Sequence, residues 1–120
     1  MIGKVRMATV EECRKALESL TGRLSGMDAK DRAAKLADRT LSCRVSDLGV
    51  TFLTRLGPHG ADPVVEAPAG ARPAQIRFSA RSDDVVAIAE DPGIFAKAWL
   101  AGRLRVEGSF MDLIRLRNLL

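Results

Sequence analysis

The residues able to do chemistry are few, and most are absorbed by ordinary structural roles. His59 is the single histidine and lies between Pro58 and Gly60, so it reads as a solvated loop residue. Neither a second histidine nor a Cys-x-x-Cys pair accompanies it, which leaves no ligand set for a metal. Cys13 and Cys43 are the two thiols. Cys43 with His59 as base would be the one covalent option, yet Cys43 falls on the apolar face of an alternating segment where nothing local lowers its pKa. Ser79, Ser82 and Ser109 are explained by strand or cap positions, and none lies in a Gly-x-Ser-x-Gly elbow. The adjacent carboxylates Asp83-Asp84 and Glu90-Asp91 fall at helix ends, where Asp83 and Asp84 complement the helix dipole. Phosphate-cradling glycine loops are missing as well. Neither a catalytic residue nor a cofactor is assigned. Arg44, Arg77 and Arg105 occupy polar strand faces, and two readings stand: an anion-binding patch if their strands are neighbours, or a solvated face paired with Glu66 or Glu107.

The elements that position these residues follow from periodicity. Thr9 and Glu12 have capping-box spacing, and Val10, Cys13, Leu17, Leu20 and Leu24 recur every three or four residues, which predicts an amphipathic helix over 9–24. Residues 1–8 read as a flexible extension of a single domain over 9–120. A second, weaker helix is expected from Asp28, burying Ala33, Ala34, Leu36 and Ala37. From Leu41 the period changes to two, since Leu41, Cys43 and Val45 alternate with Ser42, Arg44 and Ser46. Asp47-Leu48-Gly49 supplies the turn of a hairpin returning over 50–56. A short strand follows around Val64 to Ala67. The cleanest alternation is Ala74, Ile76, Phe78 and Ala80 against Gln75, Arg77, Ser79 and Arg81. Ser82 then caps a helix through about Ala89, Pro92 opens another, and Gly102 ends it. A strand at Leu104 and Val106 stops at Gly108, and Ser109 with Asp112 forms a second capping box for a terminal helix. The expectation is an α+β domain: five strands in a mixed, largely antiparallel sheet with about five helices over one face.

A chain of 120 residues, 47% apolar and 28% charged, fits one globular domain and excludes disorder and collagen-like repeats. No apolar run is long enough for a membrane span or a secretion signal, which predicts a cytoplasmic protein with reduced thiols. The net charge of +4 suggests nucleic acid until its distribution is read. Residues 1–60 hold 11 basic against 7 acidic residues and 61–120 hold 8 against 8, with no basic run beyond Arg14-Lys15. With 14 arginines and 17 alanines the composition reads as GC-rich coding rather than adaptation to phosphate, so no nucleic-acid partner is assigned.

The terminal helix is the unusual segment. Phe110, Met111, Leu113, Ile114, Leu116, Leu119 and Leu120 leave only a narrow polar stripe of Asp112, Arg115, Arg117 and Asn118. Such a helix needs cover on most of its circumference. The cover could be the neighbouring helix, a bound lipid or a second subunit.

Ser82-Asp-Asp-Val-Val-Ala-Ile-Ala, then Ala98-Trp-Leu-Ala-Gly-Arg-Leu-Arg-Val-Glu-Gly108, then the apolar helix, resembles the sterol carrier protein type 2 lipid-binding domain. The resemblance covers roughly residues 9–120 and is most specific over the last 40, as in a stand-alone bacterial member of that family. It implies a hydrophobic tunnel between sheet and helices that carries a fatty acid, acyl-CoA, phospholipid or sterol-like ligand without covalent chemistry. Transferred to this chain, the expected ligand-binding residues are Phe78, Ile88, Phe95, Trp99, Phe110, Met111 and Ile114, with the C-terminal helix closing the tunnel. The expected partners are the lipid-like molecule and a homodimer mate or a lipid-metabolising enzyme, with at most transient membrane contact. The alternative is an interaction or dimerisation module in which the apolar helix docks on a protein and no ligand enters.

An empty apolar cavity of about 300 Å³ would cost roughly 7 kcal/mol, which rivals a domain's whole stability of about 5–15 kcal/mol. The protein is therefore expected to carry lipid or to let its terminal helix collapse inward.

Overall fold

The structure is a computed structural model that describes residues 8–25, 39–57 and 60–119. The helix expected from Asp28, His59 and the start of the leading extension lie outside those residues. Ala8, the last residue assigned to that extension, is buried, and its N–H donates to Ser82 Oγ at 3.1 Å.

Helix α1 spans Val10–Ser25. Its start is the expected capping box: the Glu12 N–H donates to Thr9 Oγ1 at 3.1 Å, and the Thr9 N–H donates to Glu12 Oε1 at 3.0 Å. Two orphan donors of the first turn are thereby satisfied. The hairpin is formed by β1 (Arg39–Val45) and β2 (Val50–Gly57), registered so that Cys43 faces Phe52 and Val45 faces Val50. Gly49 turns the chain with φ of 66°, a conformation that costs glycine little. Two-residue strands β3 (Gly60–Ala61) and β4 (Val65–Glu66) both pair with β2. Strand β5 (Ile76–Ala80) returns parallel to β1, with Leu41 beside Ile76 and Cys43 beside Phe78.

Helix α2 covers Ser82–Glu90, a 3-10 turn Pro92–Ile94 follows, and α3 covers Phe95–Leu100. Gly102, at φ of 79°, leads into β6 (Leu104–Glu107), antiparallel to β5, and α4 spans Phe110–Leu119. The sheet order is β3-β2-β1-β5-β6 with β4 also on β2. It is a mixed sheet, parallel only at β1–β5, in an α+β fold with its helices packed over one face.

Three local expectations are corrected. Among the described residues the sheet has six strands rather than five, because Gly60–Ala61 pairs with Leu56–Gly57 and β3 extends the edge. Among the described residues there are four α-helices, and Pro92 opens a 3-10 turn in which the Ile94 N–H donates to Asp91 O before α3 begins. Ser82 is the first residue of α2 rather than its cap. Its hydroxyl donates to Asp47 Oδ2 at 2.6 Å, and Arg81 takes the extended cap position.

The core lies between the helices and one sheet face. Cys43, Val45, Phe52 and Ala80 meet Cys13 and Ala16 of α1, Val85, Ile88 and Ala89 of α2, and Ala98 of α3. Period-two alternation places these strand residues on one face, leaving Ser42, Arg44, Arg77, Ser79 and Arg105 on the other.

Candidate apolar cavity between helices and sheet

The rows of apolar side chains do not close on one another completely. Leu17 and Leu20 of α1, Val85 and Ile88 of α2 and Phe95 of α3 face Leu41, Cys43, Phe52 and Phe78 of the sheet across a cavity of about 220 Å³. Local sequence explains the lining, since Leu17 and Leu20 share a helix face and Leu41 and Cys43 share a strand face. The polar groups are peripheral: Thr21, Arg23, Ser42 and Thr54 also border the space. Such a surface excludes water and suits hydrocarbon.

The residues expected to bind ligand divide into two sets. Phe78, Ile88 and Phe95 line the cavity. Phe95 makes edge-to-face contacts with both Phe78 and Trp99, each with ring centroids 6.1 Å apart, so Trp99 stands behind the wall. Phe110, Met111 and Ile114 do not border the cavity and are 76%, 54% and 38% exposed. Helix α4 is anchored through Asp112 instead. Asp112 is buried and accepts from Arg39 Nε at 3.0 Å, while its N–H donates to Ser109 Oγ at 3.1 Å. Arg39 shares its strand face with Leu41 and Cys43, which places the anchor at one end of the cavity.

Leu17, Leu20 and Leu41 were legible in the sequence as members of apolar faces but not as cavity lining, and Phe52 and Val64 join them there. Periodicity identifies which face is inward, whereas a void depends on how far apart two inward faces are held. At about 24 cal/mol per Å³, a dry void of this size would cost roughly 5 kcal/mol. That is comparable with the stability of a small domain, so hydrocarbon in the void would be strongly stabilising.

Cys13 and Cys43 are part of the core. Both are free and buried. Burial pushes Cys13 up to about 11 and, with Cys13 nearby, pushes Cys43 up to about 12. Thiolate is negligible at neutral pH at such values. Among the described residues no group of three His, Cys, Asp or Glu could hold a metal ion, and no helix is long and apolar enough to cross a membrane.

With this geometry in hand, comparison with known proteins is specific. The model of the family described as "SCP-2 sterol transfer family" matches residues 15–120. No curated protein sequence matches the chain. Among solved structures, the "UbiJ-SCP2 Ubiquinone synthesis protein" superposes with a TM-score of 0.62 at 19% identity, covering 88% of this chain and 90% of that one. Sterol Carrier Protein 2 Like 2 from Aedes aegypti gives 0.62 at 12% identity over 92% and 97%. The palmitated form of the Aedes aegypti protein gives 0.58 at 15% identity over 93% and 94%. At these identities the structural likeness establishes the fold.

Proposed function

The chain belongs to the SCP-2 sterol transfer family, and from that premise we propose that it binds and carries an acyl-type lipid, without covalent chemistry, in the cavity beneath α1, α2 and α3. The observation that carries this reading is the void itself. About 220 Å³ of apolar space is left open in a 120-residue domain that has little stability to spare. A buried acyl chain returns about 0.8 kcal/mol per methylene.

In this reading Phe78, Ile88 and Phe95 grip the chain and Trp99 backs Phe95. Phe110, Met111 and Ile114 of α4 close over the part of the ligand that the cavity does not hold. The supporting observation is the Arg39–Asp112 ion pair, which ties α4 to the strand that carries Leu41 and Cys43 of the cavity wall. The solved relative in palmitated form makes palmitate the probe of choice. The neighbour titled a ubiquinone synthesis protein makes a lipid-metabolising enzyme the proposed donor or acceptor. The exposed apolar residues of α4 favour one second reading, in which that helix docks on a protein and the cavity stays empty.

Native mass spectrometry of the purified chain, before and after delipidation and palmitate addition, separates the two. A monomer holding one lipid, with Trp99 emission changing on titration, supports carriage. A dimer with no bound lipid and no palmitate uptake overturns it. An Ile88→Phe variant, which fills the cavity, is expected to lower palmitate affinity about tenfold while leaving the far-ultraviolet spectrum unchanged.

A further inference from the structure

The face of the sheet turned away from the helices carries a second concavity, of about 680 Å³, which the lipid reading leaves without a role. Its floor is the polar half of the strand alternation. Arg44 on β1 registers with Ser79 on β5, and Ser79 registers with Arg105 on β6, so the two arginines flank one serine in a single cross-strand row. Arg77 lies two residues along β5 on the same face. The segment 67–74, turned by an Ala71 N–H to Pro68 O bond and Gly70 at φ of 78°, forms the wall and adds Arg72.

The positive charges of this groove are only partly offset, by Glu107 in register with Arg77 and by Glu66. Among the described residues none of Arg44, Arg72, Arg77 and Arg105 forms an ion pair; Arg77 donates to the carbonyl of Ala74 at 2.9 Å. Two carboxylates, Glu66 and Glu107, border the same space, so the groove keeps an excess of positive charge. Guanidinium groups collected in one concavity focus potential and attract an anion, and their planar fork suits phosphoryl oxygens.

We infer that this groove binds a small soluble ester bearing two linked phosphoryl groups, on the opposite face of the sheet from the lipid cavity. Strands lie about 4.8 Å apart, so Arg44 and Arg105 are rooted roughly 10 Å from each other and Arg77 stands roughly 7 Å along from their row. A diphosphoryl group bridges such a triangle, with Ser79 between its two ends. Leu53, which borders the same groove, offers apolar surface to the organic part of the ester. The volume is that of a small-molecule site. A bilayer is excluded as occupant because its plane does not reach a concave floor walled by 67–74.

The test is a nuclear magnetic resonance titration of the full chain with inorganic pyrophosphate at constant ionic strength, read at the amides of Arg44, Arg77, Ser79 and Arg105. Saturable shifts confined to those residues are expected, with a Kd of about 0.1–1 mM. Arg44→Ala/Arg105→Ala should weaken binding at least about tenfold, and Arg44→Lys/Arg105→Lys should recover only part of it, because lysine keeps the charge and loses the fork. Both variants should take up palmitate like the parent, which separates this inference from the lipid reading. Shifts of equal size with orthophosphate, shifts that persist in the double alanine variant, or arginine-dependent binding to phosphatidylglycerol vesicles without any pyrophosphate response would each overturn it.

Discussion

Asp47 does more than shape the hairpin turn. Its carboxylate accepts the Ser82 N–H at 2.8 Å and the Ser82 hydroxyl, and that hydroxyl oxygen in turn accepts the Ala8 N–H. Three segments distant in sequence are thereby tied at one point. Burial acts to raise the Asp47 carboxyl, but the two bonds from Ser82, with help from its own N–H and Arg81, outweigh it and hold the group below the usual carboxylate range. A depressed carboxylate stabilises the fold above its unfolded pKa and loses that contribution as pH falls through the folded value. Asp47→Asn is therefore expected to cost about 1–3 kcal/mol at neutral pH, with the gap from the parent narrowing below about pH 4. Parallel urea titrations at two pH values check it. The thiols give a second residue-scale expectation. Cys13 and Cys43 should resist a disulfide-exchange reagent in the native state and react as two equivalents once denatured, since burial has raised both pKa values.

At the scale of elements, α4 exposes Phe110, Met111 and Ile114 and is anchored through a polar residue. On α3, Leu100 is 90% exposed. Removing the carboxylate by Asp112→Ala leaves Arg39 partly buried without its partner at Oδ1, so the expected effect is loss of hydrogen-exchange protection in α4 and a stability decrease of about 2–4 kcal/mol. If α4 closes the lipid site, palmitate dissociation should also quicken, by about tenfold. The α3–β6 connection gives a cleaner backbone test. A Cβ on Gly102 meets nothing within 4 Å, so Gly102→Ala should cost about 1–2 kcal/mol through the positive φ alone.

For the molecule as a whole, the described helices lie over one face of a mixed sheet, and the two faces have opposite character. Phe78, Ile88 and Phe95 belong to an apolar space on one side, and Arg44, Arg77 and Arg105 to a cationic groove on the other. Saturating the apolar side with palmitate at about 100 times its Kd is expected to stabilise the fold by about 2.7 kcal/mol, a rise in Tm of roughly 10 °C by calorimetry.

Much of this was determined by sequence alone. The capping box at Thr9 and Glu12, the alternation over Leu41–Val45 and Ile76–Ala80, and the glycines at 49, 102 and 108 act within a few residues, so local chemistry suffices to place α1, the hairpin, β5 and β6. The family resemblance in the last 40 residues was legible for the same reason. Tertiary structure decided the rest. Whether Arg44, Arg77 and Arg105 converge depended on β5 returning parallel to β1 with β6 at its side, which no local spacing encodes. Whether Leu17 and Leu41 line a void or pack together depended on the separation of two layers. The exposure of Phe110 and Met111 depended on Asp112 meeting Arg39 across 73 positions of chain, because a long-range polar anchor sets which side of an almost uniformly apolar helix turns inward.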